Sequence, residues 1–270
     1  MPSPPLSTIV TAPPATPDWL VPNLLHRGTV TILAGEAGIG KSSLAIALSM
    51  ALAYGRPFLG RPCPEAKVLY FDEENSEADG HEYLRWAWRA LGCPDPTILD
   101  THINLQRFTL GATTTPWPLM HAQATAWHPD LIILDTATPC CAITDENDNG
   151  EATRALAHLR LVREAASPRA GLLLLKHAKL DYEDGHHSIR GAKAWIGATD
   201  ATIYHLALPG RPRKDGLRPS KLEPGKHRAF GLQDPITIWP RWTQDSLGHK
   251  GLLLSIEPPG PAEKSPDPAA

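Results

Sequence analysis

The chain has 270 residues, 42% of them apolar, and a formal net charge of −3. That suffices for one large α/β core and argues against a surface coated with phosphate-binding cations. The four cysteines include an adjacent pair, Cys140 and Cys141, but no C-x-x-C spacing, which speaks against a disulfide framework or a zinc site.

Proline is abundant at both ends, so residues 1–16 and 257–270 read as flexible tails around one domain over 17–256. Met1-Pro2-Ser3-Pro4-Pro5 lacks the basic start of a secretion signal, and no apolar run reaches the ~18 residues that cross a bilayer. The expectation is a cytoplasmic protein with no membrane partner.

In chain order, Thr29–Ala34 is β-branched and apolar and predicts a buried strand. Gly35-Glu36-Ala37-Gly38-Ile39-Gly40-Lys41-Ser42 follows, and the apolar run Ser42–Ala53 predicts a helix. Strand, glycine loop G-x-x-x-x-G-K-[ST] and helix form a phosphate cradle. Glycines let successive N–H groups turn inward, Lys41 reaches the β- and γ-phosphates, and the Ser42 hydroxyl ligates Mg²⁺. Gly35 to Ser43 therefore make up the predicted ATP-binding segment, with Glu36, Ala37, Gly38, Ile39, Gly40, Lys41 and Ser42 between them.

Lys67–Asp72 predicts a second strand that runs into Glu73-Glu74-Asn75, and a helix is expected over 76–91 with Gly92 as its stop. Ile103-Asn104-Leu105 suggests a small strand and 117–127 a helix. Leu131–Asp135 is a third buried strand ending in an acid, the pattern that places a carboxylate beside the phosphate loop, where Asp135 and Ser42 can hold Mg²⁺. ATP hydrolysis also needs a group to position water. Glu73 and Glu74 both end the second strand, and alternation puts them on opposite faces, so only one can face the γ-phosphate.

Asn149 is the expected cap of a helix over about 151–166, and Gly171–Leu175 a fourth strand. Asp145-Glu146-Asn147-Asp148-Asn149-Gly150 fits the first half of a calcium loop, but the twelfth position is Leu156 rather than Glu, so a polar turn is expected there. A short helix over 193–199, a fifth strand over 201–206 and antiparallel additions at 236–242 and 252–256 complete the reading. Lys176, Lys179, Arg190 and Lys193 flank a polar loop at 181–187 and are the candidate nucleic-acid contacts. Arg211, Arg213, Lys214, Arg218, Lys221, Lys226 and Arg228 form a second basic stretch. Apolar strands alternating with helices predict an α/β fold, a mostly parallel sheet with helices on both faces.

Taken in order, Gly35–Ser42, Val68–Asn75, Leu131–Asp135, Asp145–Asn149, Leu174-Leu175-Lys176-His177 and Ile189-Arg190-Gly191-Ala192 resemble the RecA-like P-loop ATPases near the RepA type of hexameric replicative helicase, over roughly residues 18–230. The resemblance implies Glu74 as the catalytic carboxylate, with Glu73 the alternative, and His177 as the sensor of the γ-phosphate. It also implies that the K-x-R element Lys226-His227-Arg228 enters a neighbouring subunit's ATP site. Lys179, Arg190 and Lys193 would then sit around a loop facing a central channel. A homo-oligomeric ring acting on single-stranded DNA is the expectation. A nucleotide-switched regulatory or assembly ATPase keeps the same phosphate site without unwinding, and a small-molecule kinase lacks the arginine-rich lid it would need.

Overall fold

The computed structural model describes residues 5–13, 16–108, 115–180, 187–189, 191, 193–210, 213, 215–228 and 231–258. The chain runs through α1 (Leu6–Thr11), a hairpin of β1 (Trp19–Val21) and β2 (Leu25–His26), β3 (Val30–Gly35), α2 (Lys41–Ala53), β4 (Val68–Asp72) and α3 (Glu77–Ala90). Next come α4 (Thr97–His102), β5 (Ile103–Gln106), α5 (Trp117–Trp127), β6 (Leu131–Asp135), α6 (Ala137–Cys140), α7 (Asn149–Ala166) and β7 (Gly171–Leu180). The last elements are β8 (His187–Ile189), α8 (Lys193–Ala198), β9 (Ala201–Ala207), β10 (Ser220–His227), β11 (Ile236–Gln244) and β12 (Lys250–Ser255).

Apart from the β1–β2 hairpin, the strands form a ten-stranded sheet in the order β12-β11-β10-β9-β3-β7-β6-β4-β5, with β8 attached to β7. From β9 to β5 every neighbour is parallel, while β10, β11 and β12 continue the sheet antiparallel. The continuous apolar runs behave as expected of strands covered on both faces: β3, β4 and β6 are buried along their whole length.

Period-two alternation divides the core. Leu33, Tyr70, Ile133, Leu173, Leu175 and Ile203 pack on the α2 side, and Ile32, Phe71, Leu134, Leu172 and Leu174 on the side of α5 and α7. That rule fixes the next residues too: Asp72, Asp135, His177 and His205 each stand two beyond an α2-side residue.

Several predicted elements differ in detail. The Asp148 side chain, not Asn149, caps α7, accepting from Glu151 N at 3.2 Å and from Gly150 N. The N-terminal stretch read as a tail contains α1, with Leu6 and Val10 exposed. The β1–β2 hairpin and α4 were not foreseen. Nor was β10, which lies in the stretch read only as basic: its pairing with β11 stops at Leu222, and the β9 register shifts between Pro224 and His227. Proline is tolerated where a strand becomes an edge or a bulge.

Candidate nucleotide site

The carboxyl ends of the parallel strands bring the candidate residues into one row. Gly35 pairs with His177 of β7 on one side and His205 of β9 on the other, and Asp72 pairs with Asp135. Open parallel sheets bind ligands at this edge.

The phosphate loop leaves β3 here and enters α2 through Gly40, whose φ of 95° is left-handed. Gly38 has a φ of 74°, and a Cβ at either glycine would meet nothing within 4 Å, so their requirement is backbone freedom rather than space. Gly35 is the reverse: a Cβ there would lie 2.6 Å from the His205 carbonyl oxygen. Lys41 is buried and donates to the Gly35 and Glu36 carbonyl oxygens at 3.0 and 2.9 Å. Burial pulls its pKa down, against the opposing pull of Asp135 and Glu74. An ammonium held by neutral carbonyls among acids is poised for a better anionic partner.

The two glutamates separate as alternation requires. Glu73 turns to the other face, where its carboxylate accepts from Phe108 N. Glu74 lines the same cleft as the phosphate loop, accepting from the Thr136 hydroxyl at 3.1 Å with His177 Nε2 3.6 Å away.

Its backbone is clamped twice. The Glu74 N–H lies 3.1 Å from the Asp135 carbonyl oxygen and 3.2 Å from Asp72 Oδ1. Asp72 also takes the Asn75 N–H and side-chain amide at 3.0 and 2.9 Å, and Arg107 at 3.1 Å. Asp72 thus shapes the turn that presents Glu74. Its signal in the sequence is the same as that of Asp135, an acid closing a buried strand.

Asp135 is fully buried. Oδ2 accepts from the Tyr70 hydroxyl at 2.7 Å, but Oδ1 has no hydrogen-bond partner among the described residues. Burial raises its pKa to about 6, while the Tyr70 and nearby Ser42 hydroxyls act to lower it. A buried carboxylate oxygen without a partner, beside a serine hydroxyl, fits a divalent cation bound through phosphate and water. Among the described residues no cluster of His, Cys, Asp and Glu forms a metal cage, and Mg²⁺ in phosphate sites uses one or two protein ligands rather than a cage.

His205 was not foreseen. It is 3% exposed, its Nε2 lies 2.8 Å from Ser220 Oγ, and Nδ1 has no partner among the described residues. Burial and the Lys41 charge lower its pKa to about 3. The only hint in the sequence was its position near the end of an apolar strand.

Lys226 and Arg228 lie away from this row. Lys226 Nζ donates to the Ile196, Gly197 and Thr199 carbonyls at 2.6, 3.1 and 3.3 Å, and Arg228 to the Gly197 carbonyl at 3.0 Å. Both cap the carboxyl end of α8, where cations are favoured. Lys193 is exposed at the start of α8. Arg190 and the 181–186 loop, with Arg211 and Lys214, lie outside the described residues, as does the Lys179 side chain. Lys176 instead goes to the opposite face, with Nζ 3.0 Å from Thr138 Oγ1 and 4.4 Å from the Trp195 ring centroid. In the 145–150 turn, Asn149 Oδ1 accepts from Ala194 N at 3.0 Å, tying α7 to α8.

The phosphate loop opens into a cleft of about 470 Å³, within the range of small-molecule sites. Against known families, the AAA domain matches residues 5–181. No curated protein matches the chain. No helix among the described residues is long and apolar enough to cross a membrane.

Proposed function

Because the chain belongs to the AAA-domain family of P-loop ATPases, we propose that it is a Mg²⁺-dependent ATP hydrolase working as a ring of identical copies on single-stranded DNA. The observation that carries hydrolysis is Glu74, clamped by the Asp135 carbonyl and by Asp72 and facing the phosphate loop with His177 beside it.

In this reading Lys41 exchanges the Gly35 and Glu36 carbonyls for the β- and γ-phosphates. Glu74 accepts a hydrogen bond from the attacking water and aligns it with the γ-phosphorus. His177, level with Gly35 in the sheet, contacts the γ-phosphate and reports its loss along β7. Ser42 and Asp135 Oδ1 would hold Mg²⁺, which supplies neutralisation of the charge that develops on the phosphoryl oxygens.

The DNA reading is supported by the resemblance, which implies that Lys179, Arg190 and Lys193 flank a channel-facing segment. Lys226 and Arg228 reach a neighbour's phosphates in this scheme by leaving the α8 carbonyls. Their present engagement within one chain favours a second reading, an ATPase whose nucleotide state governs assembly and which unwinds nothing.

Steady-state ATP turnover with and without single-stranded DNA at low salt, where phosphate contacts are strongest, separates the two. The proposal expects stimulation. Unchanged turnover would exclude the translocase and leave the assembly ATPase.

A further inference from the structure

The turn that carries Glu74 is held from outside the phosphate row. The edge strand β5 runs parallel to β4, with Gln106 level with Phe71. The residues leaving β5, Arg107 and Phe108, therefore emerge beside the turn that leaves β4. Phe108 stacks on Phe71 with ring centroids 4.8 Å apart, and its N–H donates to the Glu73 carboxylate. Arg107 Nη2 donates to Asp72 Oδ2 at 3.1 Å and to the Asn75 carbonyl oxygen.

These bonds close a ring around Asn75. Its N–H and side-chain amide go to Asp72 Oδ1 at 3.0 and 2.9 Å, and its carbonyl returns to Asp72 through the guanidinium. The Glu74 N–H donates to the same Oδ1 at 3.2 Å. The ring and Glu74 thus share one acceptor.

Electrostatics give the guanidinium its weight. The Asp72 side chain is 1% exposed and stands level with Asp135 in the neighbouring strand. The Asn75 amide reaches both acids, at 2.9 and 3.4 Å. Two buried carboxylates side by side repel, and without the cation the charge on Asp72 is left uncompensated. Relief by protonation removes the charge that strengthens its bonds to the turn. Gly80 of α3 closes the remaining side: a Cβ there would lie 3.2 Å from Asp72 Oδ2 and 3.6 Å from Arg107 Nη2.

We propose that Arg107 is a positioning residue for hydrolysis. Through Asp72 and Asn75 it fixes the turn from which Glu74 faces the phosphate loop, and it serves turnover rather than nucleotide binding. This rests on the reading of Glu74 given above. Glu74 and Asn75 line the cleft, whereas Arg107 and Asp72 do not. A shift of the turn therefore reaches bound nucleotide through Glu74, and a small misplacement of an aligning group is costly to rate.

The test is steady-state turnover of Mg·ATP by the full chain, with ATP affinity measured alongside, in wild type, Arg107→Ala, Arg107→Lys, Glu74→Gln and the double variant Arg107→Ala with Glu74→Gln. Arg107→Ala should lower kcat about 10- to 100-fold and leave ATP affinity within about threefold of wild type. Arg107→Lys should recover most of the loss, because one nitrogen makes both bonds and an ammonium carries three N–H donors. In the Glu74→Gln background, Arg107→Ala should change turnover by less than about twofold, since residues acting as one unit are not additive. A purely structural role would lower the double variant further.

Turnover in Arg107→Ala within about threefold of wild type, an equal loss of ATP affinity, Arg107→Lys no better than Arg107→Ala, or additive losses in the double variant would each overturn the positioning role. If Glu74→Gln loses turnover while Arg107→Ala keeps it, that role alone fails. If Glu74→Gln keeps full turnover, or wild type shows none, the site reading fails and the role with it. Should Arg107→Ala not fold, Arg107→Lys against Arg107→Gln decides: turnover at least about fivefold higher with lysine supports the role, and a smaller difference overturns it.

Discussion

Gly35 and Gly38 occupy the same loop for different physical reasons, and substitutions tell them apart. Alanine at 35 puts a methyl group 2.6 Å from the His205 carbonyl oxygen, in a place where two paired strands leave no room to shift. Gly35→Ala should cost about 1–3 kcal/mol of stability, read as a lower denaturant midpoint at unchanged slope. A midpoint equal to wild type would show that the β3–β9 contact is looser than described.

His205 gives a pH prediction. Its pKa falls from 6.5 to about 3 in the fold, so between those values the unfolded chain holds a proton that the native chain does not. Stability from this group is complete above pH 6.5 and is lost as pH falls toward 3. The loss is about 2 kcal/mol between pH 6.5 and 5. Urea unfolding at pH 7 and pH 5 should show this difference for wild type and a smaller one for His205→Gln; parallel changes would contradict the assignment.

Among the elements, α8 and the β10–β12 extension carry what the sequence pattern left unread. The cations of Lys226-His227-Arg228 stood out only as a basic stretch, because K-x-R has no partner visible in one dimension. In the fold the same side chains close the carboxyl end of a six-residue helix.

Lys226→Ala should lower stability by roughly 1 kcal/mol by leaving α8 carbonyls without their donor, seen in thermal or urea unfolding. Arg228→Ala should depress hydrolysis only in the assembled form. An equal loss in a dilute monomer would exclude its action across a subunit boundary. The edge-on contact of Trp86 and Trp242, with centroids 5.0 Å apart, escaped notice for a related reason: the two are far apart in sequence and meet only because β11 and β12 fold back on α3. Tyr83, Trp86 and Trp242 carry no motif.

Across the whole molecule, the legible part was the part written in local runs. The Thr29–Ala34 strand, the glycine loop, the Leu131–Asp135 strand and the helix over 117–127 were each readable because apolar period and turn chemistry agree there. Alternation also separated Glu73 from Glu74 correctly by face, since a period of two survives into the fold unchanged. Asp72 carried the same strand-end signal as Asp135 but not its role, and His205 carried no motif. Their roles come from sheet order, which places β4 beside β6 and β9 beside β3, and no short window of sequence encodes strand neighbours. The β10 strand was hidden by Pro224-Gly225, a turn signal that a bulge beside β9 absorbs.

The sheet's logic converges on one carboxylate. Parallel strands bring Gly35, Asp135 and His177 to a single edge, and the turn after β4 sets Glu74 among them. The most direct measurement is phosphate release from Mg·ATP by wild type, Glu74→Gln and Glu73→Gln, each with nucleotide affinity measured alongside. Glu74→Gln should bind ATP as wild type does and lose turnover by about 100-fold or more, while Glu73→Gln keeps most of it. Full turnover in Glu74→Gln, or its loss in Glu73→Gln instead, would contradict the site.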